Sequence, residues 1–179
     1  MDLLDRLLRH DAWTTRTLLL QSAALADADL DRTFAIDHLS LRGTFAHMIR
    51  NMEVWTDLIR GVLVRPDAAP TLARAPVSGL IERLDAVAPQ FARSARRLSE
   101  EGRLDELWLD ELDNPPTRKS YGGTIGHVLT HDMHHRAHLL LILRWLNVPD
   151  VPEGDLLGWE AQTRSASTTR VTDTREAGE

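Results

Sequence analysis

Five of the chain's eight histidines fall within twelve positions: His127, His131, His134, His135 and His138, in the stretch GHVLTHDMHHRAHLLLIL. At 3.6 residues per turn they share one arc of a helical wheel, which Leu141, Ile142 and Trp145 continue. Asp132, Arg136 and Asn147 lie opposite, so the histidines occupy the face expected to point inward. Inward imidazoles need partners, because buried polar groups left unpaired are costly. A divalent metal ion satisfies two of them at once when they stand at i and i+4, one turn apart on one face. The pairs His127/His131, His131/His135 and His134/His138 all have that spacing, so spacing alone does not choose among them. His127 and His135 are roughly 12 Å apart along the helix axis, so a third ligand has to come from another element.

His47, in LRGTFAHMIRNMEVW, is the best candidate for it. On its own wheel it falls between Val54 and Leu58, away from Glu53, Asp57 and Arg60. A lone inward histidine is more often a hydrogen-bonded core residue, but beside a histidine-lined helix the odds reverse. His10 and His38 are weaker candidates. Asn51, one turn beyond His47, is placed to orient a ligand, and His127, His134 and His138 are candidates for moving a proton. Trp13 and Trp55 are candidate walls of a pocket. No catalytic residue is fixed by the pattern.

The absence of cysteine excludes disulfides, a thiol nucleophile and thiolate ligands, leaving His, Asp and Glu as the strong donors. HExxH is missing, as is the Glu-x-x-His pair of di-iron bundles, since Asp132 lies on the outer side of the wheel. No glycine-rich phosphate loop and no GxSxG is present. An all-imidazole site suits zinc, nickel, iron or copper, with zinc or nickel the expected occupant.

Four stretches with helical periodicity must position these groups, and none alternates as a strand. They run from about Leu3 to Leu25, from Ser40 as N-cap to about Gly61, from Ser78 as N-cap to Glu101, and from Thr124 to just before Pro149. Pro89 is expected to kink or split the third. A long connection broken by Pro115, Pro116, Gly122 and Gly123 precedes the last, and DLLGWEAQ (155–162) can form a short closing turn. The expected architecture is all-α: a four-helix bundle over residues 1–163, followed by a disordered polar tail over 164–179.

At 179 residues, 42% hydrophobic and 27% charged, the composition is that of one ordinary globular domain. A net charge of −6 argues against a nucleic-acid module. The N-terminal stretch MDLLDRLLRHDAW interrupts its apolar pattern with charges, unlike a signal peptide or a membrane span. A cytoplasmic location is the expectation.

With these features the chain resembles the DinB/YfiT-like family. The resemblance spans roughly residues 3–160 and rests on HDAWTTRTLL, SLRGTFAHMIRNMEVWTDLI, GHVLTHDMHHRAHLLLIL and the ending PDVPEGDLLGW. It implies a four-helix bundle, often a homodimer, with a divalent metal held by three histidines, which carry over onto His47, His131 and His135. Where the family usually continues His-Arg-Gly-Gln, this chain reads His135-Arg136-Ala137-His138, so His138 replaces the usual Gln. Three histidine ligands leave coordination positions open, as catalytic sites do. Some relatives resemble thiol-dependent transferases. The resemblance therefore implies a metal-dependent enzyme acting on a small-molecule substrate, either a transferase with a low-molecular-weight thiol as cosubstrate and a stress or detoxification role, or a hydrolase in which the metal activates water. One alternative is a non-catalytic module in which a structural metal ties two helices together; the other is a bundle whose histidines form a polar core without a metal.

Overall fold

The computed structural model describes residues 1–66, 71 and 74–165, with the side chains of 37–39 outside that set. Helix α1 (Leu3–Ser22) is capped by Asp2, whose carboxylate accepts from the Asp5 amide at 2.7 Å. A short α2 (Asp27–Leu30) leads into an antiparallel hairpin of β1 (Thr33–Phe34) and β2 (Asp37–Ser40). Helix α3 (Leu41–Ile59) follows directly, and Ser40 caps it as expected, accepting from Gly43 N at 3.1 Å. Helix α4 (Val77–Glu100) is next, then a second hairpin of β3 (Leu107–Asp110) and β4 (Thr117–Ser120), then α5 (Tyr121–Trp145). Residues 156–165 form a further helix, α6.

Several boundaries depart from the sequence reading. The two hairpins were hidden because strands of two to four residues are too short to show alternation. Helix α4 starts after Pro76 rather than at Ser78; Pro76 has extended backbone and supplies no side-chain cap. It runs unbroken through Pro89, so the proline does not split it. Helix α5 begins three residues earlier than Thr124, because Ser120 caps it by accepting from Gly123 N at 3.0 Å. The closing turn is a full helix through residue 165, two residues into the expected tail. The rest of that tail, 166–179, lies outside the described residues.

The chain is mostly helical, and its four long helices enclose one core. α1 packs on α4 and α5, and α3 packs on the same two from the other side. Leu18, Leu19, Leu41, Phe45, Ile49, Leu80, Phe91, Leu139 and Ile142 are fully buried there. Each such side chain contributes about 1.5–3 kcal/mol of burial. Among the described residues no helix is long and apolar enough to cross a membrane.

Charged groups are buried where the wheels put them outside. Glu53 accepts from Arg83 at 2.6 Å, and Asp57 accepts from Arg65 through its side chain and backbone N–H. Arg136, 4% exposed, donates to Asp11 across the α1–α5 interface. Asp132 is 1% exposed. A wheel sorts polar residues outward, whereas an ion pair between residues 125 positions apart lets both be inside.

Candidate metal centre

The start of α5 sets the register of its histidines. Gly122 donates its amide to Leu104 O at 2.7 Å, and a Cβ there would sit 3.1 Å from that same oxygen. With the helix pinned, its buried stripe of Ile125, Val128, Leu139, Ile142 and Leu143 faces the core. The histidines fall beside that stripe rather than on it. His127 and His134 are exposed, His131 and His138 half-buried, and only His135 is buried, at 9% exposure. On α3, Phe45, Met48 and Met52 go inward and His47 is left at the exposed rim. The inward histidine face expected from the sequence is thus a rim, and Asp132 and Arg136, expected outside, take the interior. Helix α5 is covered on two sides, by α3 and by α1, and a single wheel does not reveal that.

The rim still brings the expected triad together. His47 Nε2 is 3.3 Å from His131 Nε2, and His131 Nε2 is 3.3 Å from His135 Nε2. One donor nitrogen from each of the three lies within 4.8 Å of the others. Zinc–imidazole bonds of about 2.0–2.1 Å in a tetrahedron place neighbouring nitrogens about 3.3 Å apart. The residues therefore fit a divalent ion, which His47, His131 and His135 could hold. Burial lowers the pKa of His131. Burial lowers that of His127 too, helped by His131 and Lys119. Both are kept as neutral imidazoles, the form that donates to a metal.

Asn51 and Trp55 stand behind the triad. The Trp55 indole N–H, which can only donate, points at Asn51 Oδ1, 2.9 Å away. That fixes the amide, so Asn51 Nδ2 donates to His131 Nδ1 at 3.2 Å. Asp132 Oδ1 is 3.7 Å from the same nitrogen, beyond hydrogen-bond reach. Burial, and then the nearby Asp11, push the Asp132 carboxyl well above the usual carboxylate range. Among the described residues neither of its oxygens has a hydrogen-bond partner.

A cavity of about 340 Å³ opens next to the triad, lined by Trp55, Lys119, Ser120, Gly123, Thr124 and His127. The Trp55 ring is 5.3 Å from His127, and His127 is 5.4 Å from His131. Lys119 lies 4.9 Å over the Trp55 ring, with Asp110 and Asp113 as its carboxylate partners. Trp108 stands behind, 6.3 Å from Trp55, donating to Thr124 Oγ1 at 3.2 Å. The hairpin thus supplies a wall that helical reading missed. Lys119, as the chain's single lysine, was the one available signal.

Other candidates separate from this site. His10 is hydrogen-bonded to Gly154 O at 3.0 Å and packs edge-on against Trp159, tying α1 to the C-terminal segment. The side chain of His38 is outside the described residues. Trp13 does not wall the histidine pocket; it lines a groove of about 590 Å³ between α1 and α4. His134 and His138 form a second group with His135.

A family model described as the DinB superfamily matches residues 11–139, which contain every residue of the triad and of the cavity. The chain belongs to the DinB superfamily. A crystal structure of a DinB-like protein from Bacillus cereus ATCC 10987 superimposes with a TM-score of 0.59 at 17% identity. The match covers 80% of this chain and 91% of that one, and at this identity it speaks for the shared fold. No protein of curated function matches this DinB chain at a significant level.

Proposed function

We propose that this DinB-superfamily chain is a metal-dependent enzyme built on a four-helix bundle, with His47, His131 and His135 holding one divalent ion, zinc or nickel. The placing of the ring nitrogens carries the reading, since His131 Nε2 stands 3.3 Å from the Nε2 of both His47 and His135, a distance that suits shared coordination. Such an ion supplies Lewis-acid activation of a small nucleophile at neutral pH. Everything else falls to the chain's own side chains. Trp55 gives the cavity an apolar wall on which the substrate body rests, and His127, neutral and exposed, accepts a proton from a group held between it and the triad. With no cysteine in the chain, thiol chemistry requires a low-molecular-weight thiol as cosubstrate, and transfer of that thiol to an electrophilic small molecule is the reaction we favour. Among the described residues no fourth His, Asp or Glu joins the triad, and Asp57 is held by Arg65. That favours an open site over a purely structural one.

The test is metal content by mass spectrometry on tag-free, zinc-saturated and desalted protein, beside His47→Ala and His131→Ala. Each variant is expected to hold about one ion per chain fewer than the wild type. A wild type without metal, or variants that hold as much as the wild type, would remove the basis for the enzyme reading. Loaded protein is then screened for conjugation of thiols to electrophiles, with His127→Ala as the comparison.

A further inference from the structure

We infer that His134 and His138, assisted by His135, form a second divalent-cation site beside the first. The two imidazoles stand one helical turn apart with ring centroids 4.5 Å from each other, as close as those of His131 and His135. The His135 ring is 5.3 Å from His134 and 6.2 Å from His138, and one donor nitrogen of each lies within 4.8 Å of the others. His134 is exposed and His138 half-buried, so an ion reaches them without leaving water behind. An all-imidazole, solvent-open set takes borderline cations such as Zn²⁺, Ni²⁺ or Cu²⁺, and does not suit Mg²⁺ or Ca²⁺.

His135 belongs to both sets, and this ranks them. A neutral imidazole has one lone pair to give. His135 Nε2 already lies 3.3 Å from His131 Nε2, so the first centre claims it. With that centre filled, the second ion rests on His134, His138 and solvent, and it is the weaker of the two. If the first centre is broken, His135 is released to the second, which then has all three ligands. Two ions side by side on one helix would make the site binuclear. The inference shares His135 with the proposed enzyme centre but stands on its own pair of ligands.

Zinc titration of the metal-stripped full chain, in competition with a chromophoric chelator, tests it. The wild type is expected to bind two zinc ions in two steps. His134→Ala and His138→Ala should each lose only the weaker step. His131→Ala should keep one ion, bound more tightly than the second ion of the wild type, and His131→Ala with His138→Ala should bind none. His127→Ala, which removes another exposed histidine at i, i+4 spacing, should still bind two. Circular dichroism confirms that each variant is folded. One ion in the wild type, unchanged by His138→Ala, overturns the second site, as does loss of an ion in His127→Ala. Retention of both steps in His131→Ala would sink the three-histidine centre while leaving the second site standing.

Discussion

Asn51 in its present orientation works against the metal it adjoins. Its Oδ1 accepts from Trp55 and its Nδ2 donates to His131 Nδ1, so a neutral His131 carries its proton on Nε2. Binding through Nε2 needs that nitrogen bare and the proton moved to Nδ1. The Asn51 amide then faces a donor on both sides, His131 Nδ1–H and Trp55 Nε1–H, and its single oxygen serves only one. One net hydrogen bond is lost, about 0.5–1.5 kcal/mol, or roughly a two- to twelvefold loss of affinity. Asn51→Asp removes the conflict, since a carboxylate accepts from both sides with one oxygen each. It should tighten zinc binding by at least that factor, with a further gain from the added negative charge. Trp55→Phe, which deletes the competing donor, should tighten binding by a similar factor, and the two changes together should be less than additive. Zinc competition titrations give the ratios, and the Trp55 indole N–H resonance reports the amide directly by shifting when zinc is added to the wild type. Weaker binding in both Asn51→Asp and Trp55→Phe, with that resonance unmoved, would refute the tautomer argument.

Two further outcomes concern stability. Arg136→Met strands the buried Asp11 without its cation and should cost about 3–5 kcal/mol in urea unfolding, whereas adding Asp11→Leu to it should restore most of the loss; a single-variant cost under about 1 kcal/mol would mean that the pair is not desolvated. The hydrogen bonds from Arg65 hold Asp57 below the usual carboxylate pKa of 3.8. A depressed carboxylate stabilises fully above its unfolded pKa and loses that contribution as pH falls through the folded value, so Asp57→Asn should flatten the acid limb of a melting-temperature profile below about pH 4.

That His47 and an i, i+4 histidine pair come together was legible from sequence, because such a pair and a lone histidine on a second helix survive any small error in helix boundaries; the choice of His131 and His135 among three equally spaced pairs came from the family resemblance. The surroundings of the triad were less legible. Arg136 follows the rule that charge faces water until Asp11, 125 residues away, supplies a buried partner, and Asp132 goes inside on the same side of the helix with its carboxyl pushed toward the neutral form by burial and by Asp11. Nothing local in HDMHHRAH announces that pairing. The same blindness misplaced His47 and the histidine face, since a helix packed on two sides has a rim as well as an inside and an outside. Leu107–Asp110 and Thr117–Ser120 are each too short to declare a strand, so the wall they build beside His127 came only with the fold. Pro89 shows the converse, a strong local signal overridden because α4 is held on both flanks by α1 and α3.

Lys119 has a practical side. It carries the chain's only side-chain amine, and that amine lines the cavity next to His127. An amine-directed fluorophore or cross-linker will therefore have one side-chain address on this protein, at the mouth of the proposed reaction chamber. A molecule lodged in the chamber would shield that address, so covalent tagging turns an otherwise silent occupancy into a countable mass.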